Sequence, residues 1–375
     1  MSKKEQKTML DYITTSPQYI RENVARSAEL TRPMVEEFVN GGYQNLWIVA
    51  CGSSSNGSLC ARQFIRRHLK CEVKLVTPFQ FVISEHDFAP TDMVVVVSQS
   101  GYSLNALDAV RVVQEQGRRC IGLTGDTDSD LARVCDVVAN YGVGRETVGY
   151  VTRGVTTLAL FFMLFAVEAA RALGRKSEAE VEELKAQLLA AADQNEAMQK
   201  AAADFIQAHY QGLSGMTNAY VCGVGANLGT AAEGALKFGE TISVPTAAYE
   251  VEEYIHGPNI QMTPRYTVIL IDGGEGSARI RQIYEASRIV TPNAYLLTND
   301  ASYTGDNVLT LPFDLPEEIT PICYLPFFQL AAFQLTQDLN RWLKHPLQRK
   351  MEKACSAKSE NYKNSPFSED TPGRA

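Results

Sequence analysis

A chain of 375 residues, 45% hydrophobic and 21% charged, is long enough for two domains with separate cores and too apolar to be disordered by composition. Its 43 acidic and 35 basic side chains leave a formal charge of -8, and no run of Lys and Arg supplies the basic face that a nucleic acid backbone requires.

The N-terminus, MSKKEQKTMLDYITTSP, begins with positive charges but meets no sustained apolar run before Asp11, so it does not read as a secretory signal. From there to about Gly42 the sequence is helical, with ELTRPMVEEFVN as an amphipathic stretch. NLWIVACGSSSNGSLCARQFIRRHL is then a strand, a Ser/Gly turn and a helix. CEVKLVTP is a strand, DMVVVVSQSG a strand entering a second Ser-rich loop, and SLNALDAVRVVQEQG a helix closed by Gly117. RCIGLTG, DSDLARVC and DVVANYG continue the alternation, and near-continuous apolar strands between helices predict a parallel sheet covered on both faces.

A helix is predicted from about Thr156 to Leu173; its apolar part, TLALFFMLFAVEAA, ends at Glu168 and is expected to be too short to span a bilayer. The Ala-, Glu-, Lys- and Gln-rich tract after it is helical without a clean heptad, which predicts a connection between domains. NAYVCGVGANLGTAAEGALKF then echoes IVACGSSSNGSLCARQFI, with Cys222-Gly223 matching Cys51-Gly52, and YTVILIDGG echoes MVVVVSQSG. Two echoes at nearly equal offset predict a duplicated fold in which the first copy keeps the serines. After the helix YLPFFQLAAFQLTQDLNRWL the tail is basic and irregular; it either folds back over a site or frays, with disorder expected after about Asp370. The eight cysteines are scattered without a CxxC pair and histidines are few, so buried reduced thiols are expected, with no disulfide, no metal site and a cytoplasmic location.

Ser53, Ser54 and Ser55 form one cluster, and Ser98, Gln99, Ser100 and Ser103 the other, each after a strand and at a helix start. Free N–H groups, the positive end of a helix and hydroxyl donors suit a phosphate dianion. Any one of these serines reads first as a helix cap, but two dense clusters on consecutive units of one sheet point to a ligand site. Neither a Walker lysine nor a GxGxxG run is present.

CGSSSNG, SQSGYS, RETVGYVTRGVTT (with Glu146, Thr152 and Arg153), EGALKFGE and EEYIHGP stand in an order that resembles the sugar isomerase (SIS) family, in particular the double-SIS proteins. These include phosphosugar deglycases and the isomerase half of glucosamine-fructose-6-phosphate aminotransferase. The resemblance implies an α/β fold of two duplicated parallel-sheet SIS domains, flavodoxin-like three-layer sandwiches, with extra N- and C-terminal helices. The expected divisions are a helical extension (1–35), a first SIS domain (36–180), a helical connection (181–205), a second SIS domain (206–345) and a tail near the site (346–375). It places phosphate contacts on Ser98, Gln99, Ser100 and Ser103, with Ser53, Ser54 and Thr152 among the ligand-binding residues. Where the aminotransferase has a serine close to the sugar, this chain has Val151.

EGALKFGE puts Glu233, Lys237 and Glu240 at intervals of four and three, so a helix would carry them along one face, as a solvated ion-pair face or as a site. His256 in YIHGP is structural or a proton carrier, imidazole being suited to proton transfer near neutral pH. The resemblance implies Glu240 for proton transfer between C1 and C2, His256 for ring opening, Lys237 as a family lysine and Glu253 as an acid that holds or tunes the site. The C-terminal lysine that the family carries near a DxPRxLAKSVTVE ending is not recognisable in the tail, which is closer to an HPLxxRRYMxKxxY type.

The function this implies is a phosphosugar deglycase that cleaves a 6-phosphorylated sugar-amine (Amadori-type) adduct into hexose 6-phosphate and free amine or amino acid. The alternatives are a glucosamine or ketose 6-phosphate isomerase or deaminase, and a non-catalytic sugar-phosphate-binding regulatory protein. Neither metal nor nicotinamide is required, and no Cys follows Met1 to release ammonia, so no glutaminase domain is expected. The expected partners are a sugar phosphate or phosphorylated sugar-amine and further copies of the chain, as a homodimer or larger homo-oligomer, with no nucleic acid and no membrane.

Overall fold

Apolar runs such as DMVVVV cannot form a strand with one wet face, and the structure, a computed structural model describing residues 7–365, buries them on both. The chain divides into two compact units. The first comprises Gln18–Leu188 and Leu343–Ala375, the second Met1–Pro17 and Leu189–Trp342. The disorder expected past Asp370 lies outside the described residues.

In chain order, α1 (Met9–Ala25) and α2 (Ser27–Asn40) precede β1 (Asn45–Val49), α3 (Ser53–His68), β2 (Glu72–Val76), α4 (Pro78–Ile83) and β3 (Asp92–Val97). Next come α5 (Leu104–Glu115), β4 (Cys120–Thr124), α6 (Asp130–Val134), β5 (Val137–Asn140), α7 (Arg153–Ala172) and α8 (Glu178–Ala208). The second unit continues with α9 (Tyr210–Ser214), β6 (Asn218–Gly223), α10 (Asn227–Lys237), β7 (Thr246–Glu250), α11 (Val251–Ile255) and β8 (Tyr266–Asp272). It closes with α12 (Ser277–Val290), β9 (Ala294–Thr298), β10 (Val308–Thr310) and α13 (Pro321–Asp338), and α14 (Pro346–Ala354) belongs to the tail.

The first sheet has the order β2-β1-β3-β4-β5, entirely parallel. The second, read from its β7 edge, is β7-β6-β8-β9-β10, also entirely parallel and the same permutation. The paired echoes of the sequence are therefore a duplication of topology. In each sheet the first strand lies between the second and third, so growth reverses there and the carboxyl ends of β1 and β3, or of β6 and β8, flank a crevice. In the first sheet Val49 is level with Val96, which delivers both serine clusters to that crevice.

Helix α7 is the main covering element of the first unit. Its 20 residues have the length and composition to cross a membrane, contrary to the shorter span expected, yet Arg153 through Ala170 are all buried. Phe38 of α2 meets Phe165 of α7 edge-on, with centroids 5.6 Å apart. The carboxylate of Glu168 is buried here, and burial alone would raise its pKa. Ser27 Oγ, Lys185 Nζ and Arg171 outweigh that and hold it below its ordinary 4.5.

Helix α8 carries a buried seam that its sequence does not show. Val181, Leu184, Leu188, Ala191, Asn195, Met198 and Ala202 are all buried and recur at three and four, a seam masked by its alanines and by the polar Asn195. Asn195 Nδ2 donates to the Ile322 carbonyl at 2.7 Å, which explains a polar residue on that seam. All eight cysteines are free; five are buried, Cys135 is half-buried, and Cys51 and Cys355 are exposed, where burial was expected. The tail takes the ordered alternative as far as Ser365: after α14 it runs antiparallel to the second serine loop, with Lys358 paired to Ser103.

Candidate active site

After β3 the chain turns sharply through Ser98–Ser103 into α5. Gly101 has φ +74°, and a Cβ there would lie 1.9 Å from Ser129 Oγ, so only glycine closes this turn. Its N–H donates to the Ser98 carbonyl (3.0 Å) and the Ser98 hydroxyl (3.2 Å). The Ser98 hydroxyl donates to Ser103 Oγ at 3.1 Å. Tyr102 anchors the loop through its hydroxyl to Asp126 at 3.1 Å; burial first, and that carboxylate second, push the phenol up to about 12, so it stays a neutral donor. Ser53 is buried at the first position of α3, with Ser54 and Ser55 half-buried beside it.

The structure adds a cation that the sequence reading missed. Lys358 Nζ donates to Ser100 Oγ at 2.8 Å and to Ser103 Oγ at 3.1 Å. Leu104 N–H donates to the Ala357 carbonyl and Ser359 N–H to the Tyr102 carbonyl, so the tail clamps this lysine onto the loop. The expectation that the tail has no recognisable C-terminal lysine is thus corrected. The signal was the triplet Ala357-Lys358-Ser359, which matches the AKS of the family ending once the lost flanking residues are disregarded.

Gln99 faces inward. Its Nε2 donates to Glu146 Oε2 at 2.9 Å, and its carbonyl accepts from Gly125 N–H (2.9 Å) and Thr124 Oγ1 (3.2 Å). Glu146, 2% exposed, also accepts from the N–H groups of Thr152 (2.8 Å), Arg153 (3.0 Å) and Gly154 (2.9 Å), the first turn of α7. Thr152 was expected to bind ligand. It is fully buried at this helix start, with its hydroxyl donating to the Tyr150 carbonyl.

In the second unit α10 ends at Lys237 and the chain widens into one π-helical turn, Phe238–Ile242, before Ser243 in the left-handed region stops it. The regular helix face expected for Glu233, Lys237 and Glu240 is therefore broken at Lys237. The three still meet: Lys237 Nζ is 3.1 Å from Glu233 Oε1 and hydrogen-bonds Glu240 Oε1. Lys237 and Glu233 are fully buried, whereas the Glu240 side chain is 30% exposed. Burial would lower the lysine pKa, but the two carboxylates overcome it and hold the amine protonated above its ordinary value. An ammonium is not a nucleophile, so Lys237 serves as a clamp on the one carboxylate of the three groups that solvent reaches.

His256 is exposed at the end of α11, with Nδ1 2.6 Å from the Glu252 carbonyl. A carbonyl only accepts, which assigns the proton to Nδ1 and leaves Nε2 basic. Glu253 is exposed and its N–H donates to Glu250 Oε2 at 3.2 Å; its neighbour Glu252 is ion-paired to Arg279, which holds that carboxyl below its ordinary value.

The corresponding loop of the second sheet shows why only one copy keeps serines. At the end of β8, Asp272 accepts from Gly274 N–H (3.2 Å), Ser277 Oγ (2.5 Å), Arg281 Nε (2.8 Å) and Thr298 Oγ1 (3.1 Å). A carboxylate of the protein thus stands at the strand end that corresponds to the serine loop of the first sheet. Among the described residues no group of His, Cys, Asp and Glu side chains could hold a metal.

Residues 45–167 match the SIS domain family. The glutamine–fructose-6-phosphate aminotransferase of Thermococcus kodakarensis is 23% identical over 87% of this chain and 54% of its own length, so the chain spans about half of that relative. Two solved structures share the fold. The C-terminal domain of glucosamine-fructose-6-phosphate aminotransferase from Francisella tularensis has a TM-score of 0.79 and 19% identity, covering 88% of this chain and 94% of its own. Glucosamine-6-phosphate deaminase from Thermotoga maritima has a TM-score of 0.69 and 18% identity, covering 88% and 94%.

Proposed function

We propose, from the premise that this chain is a SIS-domain-containing protein related to phosphosugar isomerases and to the isomerase domain of the aminotransferase, that it is a sugar-phosphate isomerase or deaminase acting on an amino-hexose 6-phosphate. The observation that carries the reading is the serine loop with Lys358 donating into it, a cationic donor cluster on a chain of net charge -8. The phosphate ester takes the hydroxyls of Ser98, Ser100 and Ser103 and the Lys358 ammonium, with Ser53 and Ser54 at the start of α3 beside it. Its binding orients the sugar and thereby contributes to the chemical step.

Glu240, hydrogen-bonded by Lys237 Nζ, removes a proton from one of the carbons C1 and C2 and returns it to the other. His256, with Nε2 as base, moves the proton that opens the sugar ring. Water then hydrolyses the resulting imine and the amine departs. The exposure of His256 supports its serving a neighbouring subunit in a homodimer or larger assembly, and the free thiols support a cytoplasmic location.

Val151 favours a second reading on the same groups. An apolar, half-buried residue at the position of the family serine supports a substituted amine, and with it cleavage of a 6-phosphorylated fructosyl amino acid. Incubation with each compound tests the choice. Release of ammonia and fructose 6-phosphate from glucosamine 6-phosphate is expected; release of an amino acid and glucose 6-phosphate from the fructosyl compound alone would replace that reading with the deglycase. Binding of both without turnover would leave a sugar-phosphate sensor.

A further inference from the structure

We propose that Glu146 is a positioning residue for the phosphate site, acting through Gln99 to aim main-chain N–H groups at the ester; the inference rests on the reading that the Ser98–Ser103 loop binds phosphate. A 20-residue helix such as α7 presents a positive N-terminus that would itself attract an anion. Glu146 fills that place, taking three N–H groups of the first turn, so the ligand is left to the serine loop. Its fourth acceptor contact is the Gln99 amide, which ties the loop to the start of α7. The fit is close: a Cβ on Gly154 would lie 2.4 Å from Gln99 Oε1 and 2.9 Å from Glu146 Oε2.

Planarity of the peptide turns this anchor into an orientation. In a trans peptide the C=O of one residue and the N–H of the next point in opposite directions. The Gln99 carbonyl is pinned toward the end of β4 by Gly125 N–H and Thr124 Oγ1, so the Ser100 N–H is driven the other way. Among the described residues the N–H groups of Gln99 and Ser100 donate to no protein acceptor, which fits them for the ester. Gln99 therefore serves the phosphate through its main chain, while its side chain is spent on Glu146.

Calorimetric titration with glucose 6-phosphate and with inorganic phosphate tests this on the full chain, with circular dichroism as a check of folding. Gln99→Ala and Glu146→Gln are each expected to weaken both ligands about tenfold, the effect of one lost or misdirected hydrogen bond to a charged group. Gln99→Glu sets two carboxylates face to face and is expected to weaken binding by more than about a hundredfold. Adding Glu146→Gln to it restores an amide-carboxylate contact and should recover about tenfold, a rescue that a purely structural cap would not give. If the wild-type chain binds and folded Gln99→Ala binds within about twofold of it, Glu146 only caps α7 and the proposal is wrong. If Glu146→Gln does not fold, Gln99→Ala decides alone. Failure of the wild-type chain to bind either ligand would instead overturn the phosphate reading beneath the proposal.

Discussion

Glu240→Gln is expected to lower kcat by about 10²- to 10⁴-fold, the range for loss of a positioned general base, with little change in thermal stability. The substitution keeps the shape of the side chain and removes its charge. Lys237 retains Glu233 at 3.1 Å, so no buried ammonium is left alone, and the Glu240 side chain is 30% exposed, so its neutral amide is solvated at small cost. Turnover of glucosamine 6-phosphate or of the fructosyl compound is the measurement, read beside a melting curve. A folded Glu240→Gln variant with kcat within a few-fold of wild type would remove this carboxylate from the chemistry.

Lys237→Met is expected to destabilise the protein by about 3–5 kcal/mol, because it leaves the fully buried Glu233 without its cation. In a unit of this size that corresponds to a fall in Tm of about 10 °C. Replacing the whole pair, Lys237→Met with Glu233→Met, should recover most of the loss, since a buried ion pair adds little over well-packed apolar side chains. The pH dependence follows from the upward shift of the lysine. Its contribution is fully present below the ordinary value of 10.5 and is lost only as pH rises through the still higher value in the folded state. The difference in Tm between the double variant, which lacks both members of the pair, and wild type should therefore be constant from pH 6 to pH 9. A single variant as stable as wild type would mean that the buried Glu233 does not need its cation.

What could be read from the sequence were features whose signal is local. DMVVVV and YTVILID are unbroken apolar runs, and the Cys-Gly steps at 51 and 222 repeat with the same flanks, so parallel sheets and their duplication follow from periodicity and self-similarity. The two serine clusters were legible for the same reason, each lying where a strand ends and a helix starts. What was missed depends on contacts distant in sequence or on one residue of backbone geometry. Lys358 is more than 250 positions from Ser100, and its one local signal, the triplet Ala357-Lys358-Ser359, stands in a tail that has lost the flanking residues of the family ending. Glu146 stands in one of the motifs, but its contacts could not be read there, because it caps a helix that starts seven residues later, outside the local N-cap pattern. The π turn at Phe238–Ile242 shifts the register after Lys237 without disturbing the hydrophobic pattern that predicted a plain helix. In α8 the seam was hidden because Ala and Asn carry little hydrophobic signal, although their burial is complete.

A crystal structure with glucose 6-phosphate bound bears most directly on the whole account. The doubly charged ester should sit against Ser98, Ser100 and Ser103, within hydrogen-bonding distance of their hydroxyls, of the Ser100 N–H and of Lys358 Nζ. Phosphate density at any other strand end, with the Ser98–Ser103 loop and Lys358 still bonded only to each other, would contradict it.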